Sequence, residues 1–130
     1  MIAADTNIVL RLFIQDDPNQ SKQAAQLFAD HTIWVSRTVL LECEWVLRSA
    51  LQHSRDRIYE MMDTLIHLEG VVVEDYPLLY QCLESYDKGM DFADALHLHL
   101  ANQENLDFYT FDKKLVHKAK AVSAKAQLLN

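Results

Sequence analysis

The stretch Met1-Ile2-Ala3-Ala4-Asp5-Thr6-Asn7 decides how the rest of the chain is read. Ile2 to Ala4 predicts a short buried strand, and a carboxylate stands at its end. Ile8, Val9, Leu12 and Phe13 follow at helical spacing. A strand that passes through an acid into a helix is the repeating step of an α/β fold. Its turn falls on the sheet edge where open α/β folds place their chemistry.

The same alternation continues along the chain. Asp17-Pro18 predicts a helix start, because proline is tolerated in a first turn, and Ala24, Ala25, Leu27 and Phe28 are its apolar positions. Thr32 to Val35 reads as a second strand, and Ser36 as the cap of a long helix reaching Leu51. Ser54 to Leu68 is helical, with Ile58, Met61, Met62, Leu65 and Ile66 on one side. After Gly70, Val71 to Val73 is a β-branched strand. Asp75-Tyr76-Pro77 opens a helix to Tyr86, and Asp91 opens another to Glu104. Asp107 to Tyr109 predicts a fourth strand, Asp112 to Ala121 a last helix, and Leu128-Leu129 a terminal edge strand. The expected fold is α/β: one domain over residues 1–130, with a mainly parallel central sheet of about four or five strands flanked by helices.

Composition narrows the class. Half of the 130 residues are apolar and only 2 are Gly and 2 Pro, which excludes a disordered chain. No apolar run approaches the roughly 20 residues needed to cross a bilayer, and Met1 to Asp5 lacks the basic region of a secretory signal. Cys43 and Cys82 fit neither a C-x-x-C clip nor a disulfide framework. They predict two buried thiols in a reducing cytoplasm. The formal charge of −7 argues against a broad nucleic-acid surface. The bases are partly clustered, with Arg48, Arg55 and Arg57 in the middle and Lys113, Lys114, Lys118, Lys120 and Lys125 at the end, which allows a local basic rim.

Three further acids share the setting of Asp5. They are Glu42 in Thr38-Val-Leu-Leu-Glu42, Asp94 in Asp91-Phe-Ala-Asp94-Ala-Leu, and Asp112 in Tyr109-Thr-Phe-Asp112-Lys-Lys. Each lies in or just after an apolar segment that begins on the same sheet edge. Carboxylates gathered there repel one another and lose hydration unless cations neutralise them. Hard divalent ions are the usual solution, and such ions handle phosphates. Taken singly, Asp5 and Asp112 read equally well as helix caps, and Asp91 with Asp94 imitates a capping box. Glu42 has no base three or four residues away, whereas Glu44 has Arg48 four residues on and reads as an exposed surface pair. His97 and His99 match no metal-ligand spacing and are assigned to packing or surface roles.

In their order and placement these motifs resemble a PIN domain, more narrowly the VapC-type toxins of bacterial toxin–antitoxin pairs. The resemblance rests on Asp5-Thr6-Asn7, Glu42 within Val39-Leu-Leu-Glu-Cys-Glu-Trp-Val-Leu47, Asp91-Phe-Ala-Asp94-Ala-Leu96 and Thr110-Phe-Asp112, and it spans essentially the whole chain. It implies a Mg²⁺-dependent endoribonuclease, with Mn²⁺ as a substitute, and an acidic cluster of Asp5, Glu42, Asp94 and Asp112. Thr6, Asn7 and Thr110 are then polar neighbours that orient carboxylates or water, with Asp91 a contributing acid. The proton acceptor is Glu42 or Asp94. The resemblance further implies an RNA substrate, a VapB-like antitoxin whose basic side chain enters the acidic pocket, and a homodimer.

Two other readings compete. A phosphoacceptor receiver domain also binds Mg²⁺ at one edge of an α/β sheet, but it needs an acidic pair after the first strand, where this chain has the single acid Asp5. A PIN-like fold serving only as a binding module is the second.

Overall fold

Ile2–Ala3 forms a two-residue strand, β1, and the backbone leaves it through Ala4 and Asp5 into helix α1, Thr6–Leu10. The computed structural model describes every residue from Met1 to Asn130. The chain continues through α2 (Pro18–Asp30), β2 (Ile33–Val35), α3 (Arg37–Trp45), α4 (Arg55–Ile66) and β3 (Val71–Val73). It ends with α5 (Tyr76–Asp87), α6 (Phe92–Gln103), β4 (Phe108–Thr110), α7 (Lys113–Ala121) and β5 (Ala126–Leu128). A polar side chain closes the first turn of most helices: Asp5, Asp17, Ser36, Ser54, Asp91 and Asp112 each accept a backbone N–H. A cap of this kind contributes about 1 kcal/mol to its helix.

The backbone groups into two compact units, Met1–Tyr76 and Pro77–Asn130. In the first, β1, β2 and β3 form a parallel sheet with Ile2 opposite Ile33 and Ile33 opposite Val71. Strand alternation turns Ile33 and Val35 fully inward and leaves Trp34 outward. Helix α4 lies against β3 and α1 against α3. Ile58, Met61, Met62, Leu65 and Ile66 are all buried, as their helical spacing predicts.

In the second unit β4 and β5 pair in parallel, Phe108 opposite Ala126 and Thr110 opposite Leu128. Helix α7 packs on both strands and α6 on β4. Leu78, Leu79 and Cys82 of α5 and Ala95 and Leu98 of α6 are fully buried, and Tyr86 meets Phe92 edge to face at 5.9 Å.

The α/β class and the parallel pairing agree with the expectation, and several details correct it. The larger sheet has three strands rather than four or five, and the remaining two form a separate pair. These strands are only two or three residues long, so which strands pair is decided by long-range packing that local periodicity does not contain. The first helix stops at Leu10 instead of reaching Phe13, because the Leu12 and Phe13 amides bond to carbonyls three residues back, at 3.1 and 3.0 Å. The long helix from Ser36 ends as an α-helix at Trp45 and continues as a π-helical turn, Val46–Ala50. The last strand begins at Ala126 rather than Leu128. No helix is long and apolar enough to cross a membrane.

Candidate active site

In the first unit, Asp5 is exposed at the end of β1, and its Oδ1 accepts the Ile8 N–H at 3.3 Å. The next residue, Thr6, is buried, and its hydroxyl donates to Oε1 of Glu42 on α3. This bond ties α1 to α3 and fixes the direction of the Glu42 carboxylate. A cleft of about 450 Å³ opens beside Asp5, with Asn7, Arg11, Gln20, Gln23 and Leu27 among its walls. Arg11 is held there: its Nε donates to Gln20 at 3.0 Å and its Nη1 pairs with Asp16.

Glu44 corrects the expectation of an exposed pair. Its partner is Arg48, Nε to Oε2 at 2.9 Å, but the carboxylate is 2% exposed. A buried carboxylate neutralised by a guanidinium is committed to that pair, whereas Glu42 is exposed and accepts only a neutral hydroxyl among its resolved contacts. Cys43 between them is buried, and burial, followed by the Glu42 charge, pushes its thiol up to about 12, so it stays protonated and unreactive.

In the second unit, Asp91 caps α6 by accepting the Asp94 N–H at 3.1 Å. Asp94 is half-buried in the same first turn. Its carboxyl is held above the ordinary aspartate range by desolvation first, then by the charges of Asp91 and Asp112, with His97 and Lys118 pulling the other way. Asp112 caps α7, Oδ1 accepting from Lys114 and Leu115 at 2.9 and 3.2 Å, and its own N–H donates to the Thr110 hydroxyl at 3.0 Å. Thr110 thus sets the turn that presents Asp112. Asp94 therefore senses the charges of both Asp91 and Asp112. In neither unit do three or more His, Cys, Asp or Glu side chains gather closely enough to hold a metal ion.

Sequence reasoning missed three participants, Lys118, Arg11 and Gln20. Lys118 moderates the Asp94 charge while its Nζ donates to the Gly89 carbonyl at 2.8 Å; no spacing links residues 89, 94 and 118. Arg11 and Gln20 sit nine apart on different elements. His99 has the packing role assigned to it: it is 1% exposed, with Nε2 bonded to Ser85 Oγ at 2.7 Å and Nδ1 without a partner. Burial lowers its pKa.

The family model described as PIN domain matches residues 2–121. No curated protein matches the chain. A solved structure described as "Structure of FitAB bound to IR36 DNA fragment" is 16% identical; the likeness covers 98% of this chain and 94% of that one, with a TM-score of 0.40.

Proposed function

We propose, for a chain that belongs to the PIN-domain family, that it is a metal-dependent endoribonuclease and the toxin of a type II toxin–antitoxin pair. Residues 1–130 would act as one catalytic domain in the cytoplasm, with Asp5, Glu42, Asp94 and Asp112 as the proposed metal ligands. PIN domains are generally nucleases that use divalent metal ions. The observation that carries the proposal here is the family match over residues 2–121, with Asp91 and Asp94 held in one helical turn where Asp91 accepts the Asp94 N–H. Like charges kept together at partial burial are stabilised by a cation, and carboxylate oxygens are the ligands that Mg²⁺ and Mn²⁺ prefer. The donor chemistry therefore fits the ion.

A bound Mg²⁺ or Mn²⁺ supplies Lewis acidity that lowers the pKa of a water and offsets charge on the phosphoryl oxygens. The chain's own residues do the rest. Thr6 holds the Glu42 carboxylate in one direction, and Thr110 with the cap bonds of α7 holds Asp112. The proton of the attacking water goes to Glu42 or Asp94. The acidic balance of −7 suits a partner that inserts a basic side chain, the expected antitoxin. A homodimer is part of the same proposal.

Asp5→Asn keeps the size of the side chain and an oxygen that can still cap α1, so the fold is expected to survive. RNA cleavage in Mg²⁺ is expected to fall at least about 100-fold, the scale of removing one preorganised charge from a phosphoryl-transfer site. Undiminished cleavage by this variant would sink the proposed site. Metal binding without cleavage by the unaltered protein would favour the binding-module alternative.

A further inference from the structure

Phe111 is the most exposed large apolar side chain of the protein, at 78%, and Tyr109, two residues earlier, is 60% exposed. In β4 strand alternation separates Tyr109 from Phe108 and Thr110, which are half-buried, and Phe111 follows just past the strand. Neither ring packs on another aromatic ring. Single exposed apolar residues are ordinary, but these two rings run directly into Asp112. Lys113 and Lys114 follow at once, both exposed and without a carboxylate partner. Within six residues, 109–114, the backbone presents two bare aromatic faces, one proposed metal ligand and two uncommitted ammonium groups.

That sequence of chemistries matches a polynucleotide strand. An aromatic face takes an unpaired base by stacking, whichever base it is, and a lysine takes the phosphate beside it. An apolar protein surface would match the rings but not the paired lysines and the carboxylate beside them. We infer that Phe111, with Tyr109 beside it, is a stacking platform for the unpaired bases flanking the scissile phosphate, and that Lys113 and Lys114 hold the adjoining phosphates. This inference rests on the ribonuclease reading and adds to it the residues that would hold the unpaired strand. In a duplex the base faces are already stacked on one another, so the platform has nothing to receive.

The test uses the full chain carrying Asp5→Asn, so that the RNA survives, and an end-labelled unstructured oligoribonucleotide read by fluorescence anisotropy in Mg²⁺. Adding Phe111→Ala should weaken binding about tenfold, the loss of one stacked base. Phe111→Trp should bind within about twofold of the parent, and Phe111→Leu should resemble alanine, because stacking needs a π face. A hairpin duplex of equal length should bind more weakly than the single strand. With Asp5 restored, Phe111→Ala should raise KM more than it lowers kcat. Equal affinity of Phe111→Ala and parent, rescue by leucine as full as by tryptophan, or duplex bound as tightly as single strand each overturns the inference while leaving the nuclease reading intact. A change of oligomeric state with unchanged RNA affinity overturns it in favour of a second copy of the chain. If the unaltered protein neither binds nor cuts RNA, the ribonuclease reading fails and the platform fails with it.

Discussion

Asp94 holds its proton more tightly than an ordinary aspartate because it is partly buried and faces Asp91 and Asp112. Between the ordinary carboxylate pKa and the raised one, the folded chain binds more protons than the unfolded chain. Stability therefore falls as pH rises through that window and stays lower above it. Asp94→Asn removes the charge, so without divalent ions its melting temperature at pH 7 should exceed that of the parent, and the advantage should shrink as pH falls through the carboxylate range. Thermal melts at pH 7 and pH 4 read this directly, and no gain at pH 7 would contradict it. His99 has the opposite sign. Burial lowers its pKa, so the unfolded chain takes up a proton that the folded chain refuses, and stability is lost as pH drops below the ordinary histidine value near ~6.5. Ser85 is the partner of its Nε2. Ser85→Ala leaves a buried imidazole with neither nitrogen satisfied and should cost about 1–3 kcal/mol in urea melts at pH 8; a loss below measurement error would show that the bond is dispensable. At this scale the sequence was only partly informative. The Glu44–Arg48 pair followed from its spacing of four, but the burial of Glu44 did not, because spacing places two side chains together without saying whether other elements cover them.

Element α7 separates the structural from the chemical role of one acid. Asp112 closes the first turn with two backbone bonds, and it is also a proposed ligand. Asp112→Asn keeps a capping oxygen, so stability should change little while cleavage is lost. Asp112→Ala loses both and should cost about 1 kcal/mol in addition. Denaturation midpoints and cleavage rates on the two variants check the division; equal stability in both would remove the cap from the account. Elements with a strong local signal were legible in sequence. The buried stripe of α4 and the caps Ser36, Asp91 and Asp112 all stand where periodicity and capping chemistry put them. The end of α1 at Leu10 and the π-helical turn after Trp45 were not legible. Both depend on which carbonyl an amide chooses three, four or five residues back, and neighbouring elements bias that choice. The pairing of β5 with β4 across the intervening helix α7 belongs to the same class of long-range decision.

For the whole molecule, the parallel strands, the family match over residues 2–121 and a net charge of −7 point one way. The acids were legible because each follows an apolar segment that starts a helix. Their grouping remains a proposal, since a sheet edge sets which turns share a side and not the distances between side chains. The central claim is that these acids make the protein a metal-dependent ribonuclease. The most direct test strips the purified protein of divalent ions with EDTA, removes the chelator, and follows hydrolysis of single-stranded RNA as Mg²⁺ or Mn²⁺ is returned. The account predicts no cleavage in the stripped protein and saturable recovery with either ion; cleavage that persists without metal, or that never appears with it, contradicts the account.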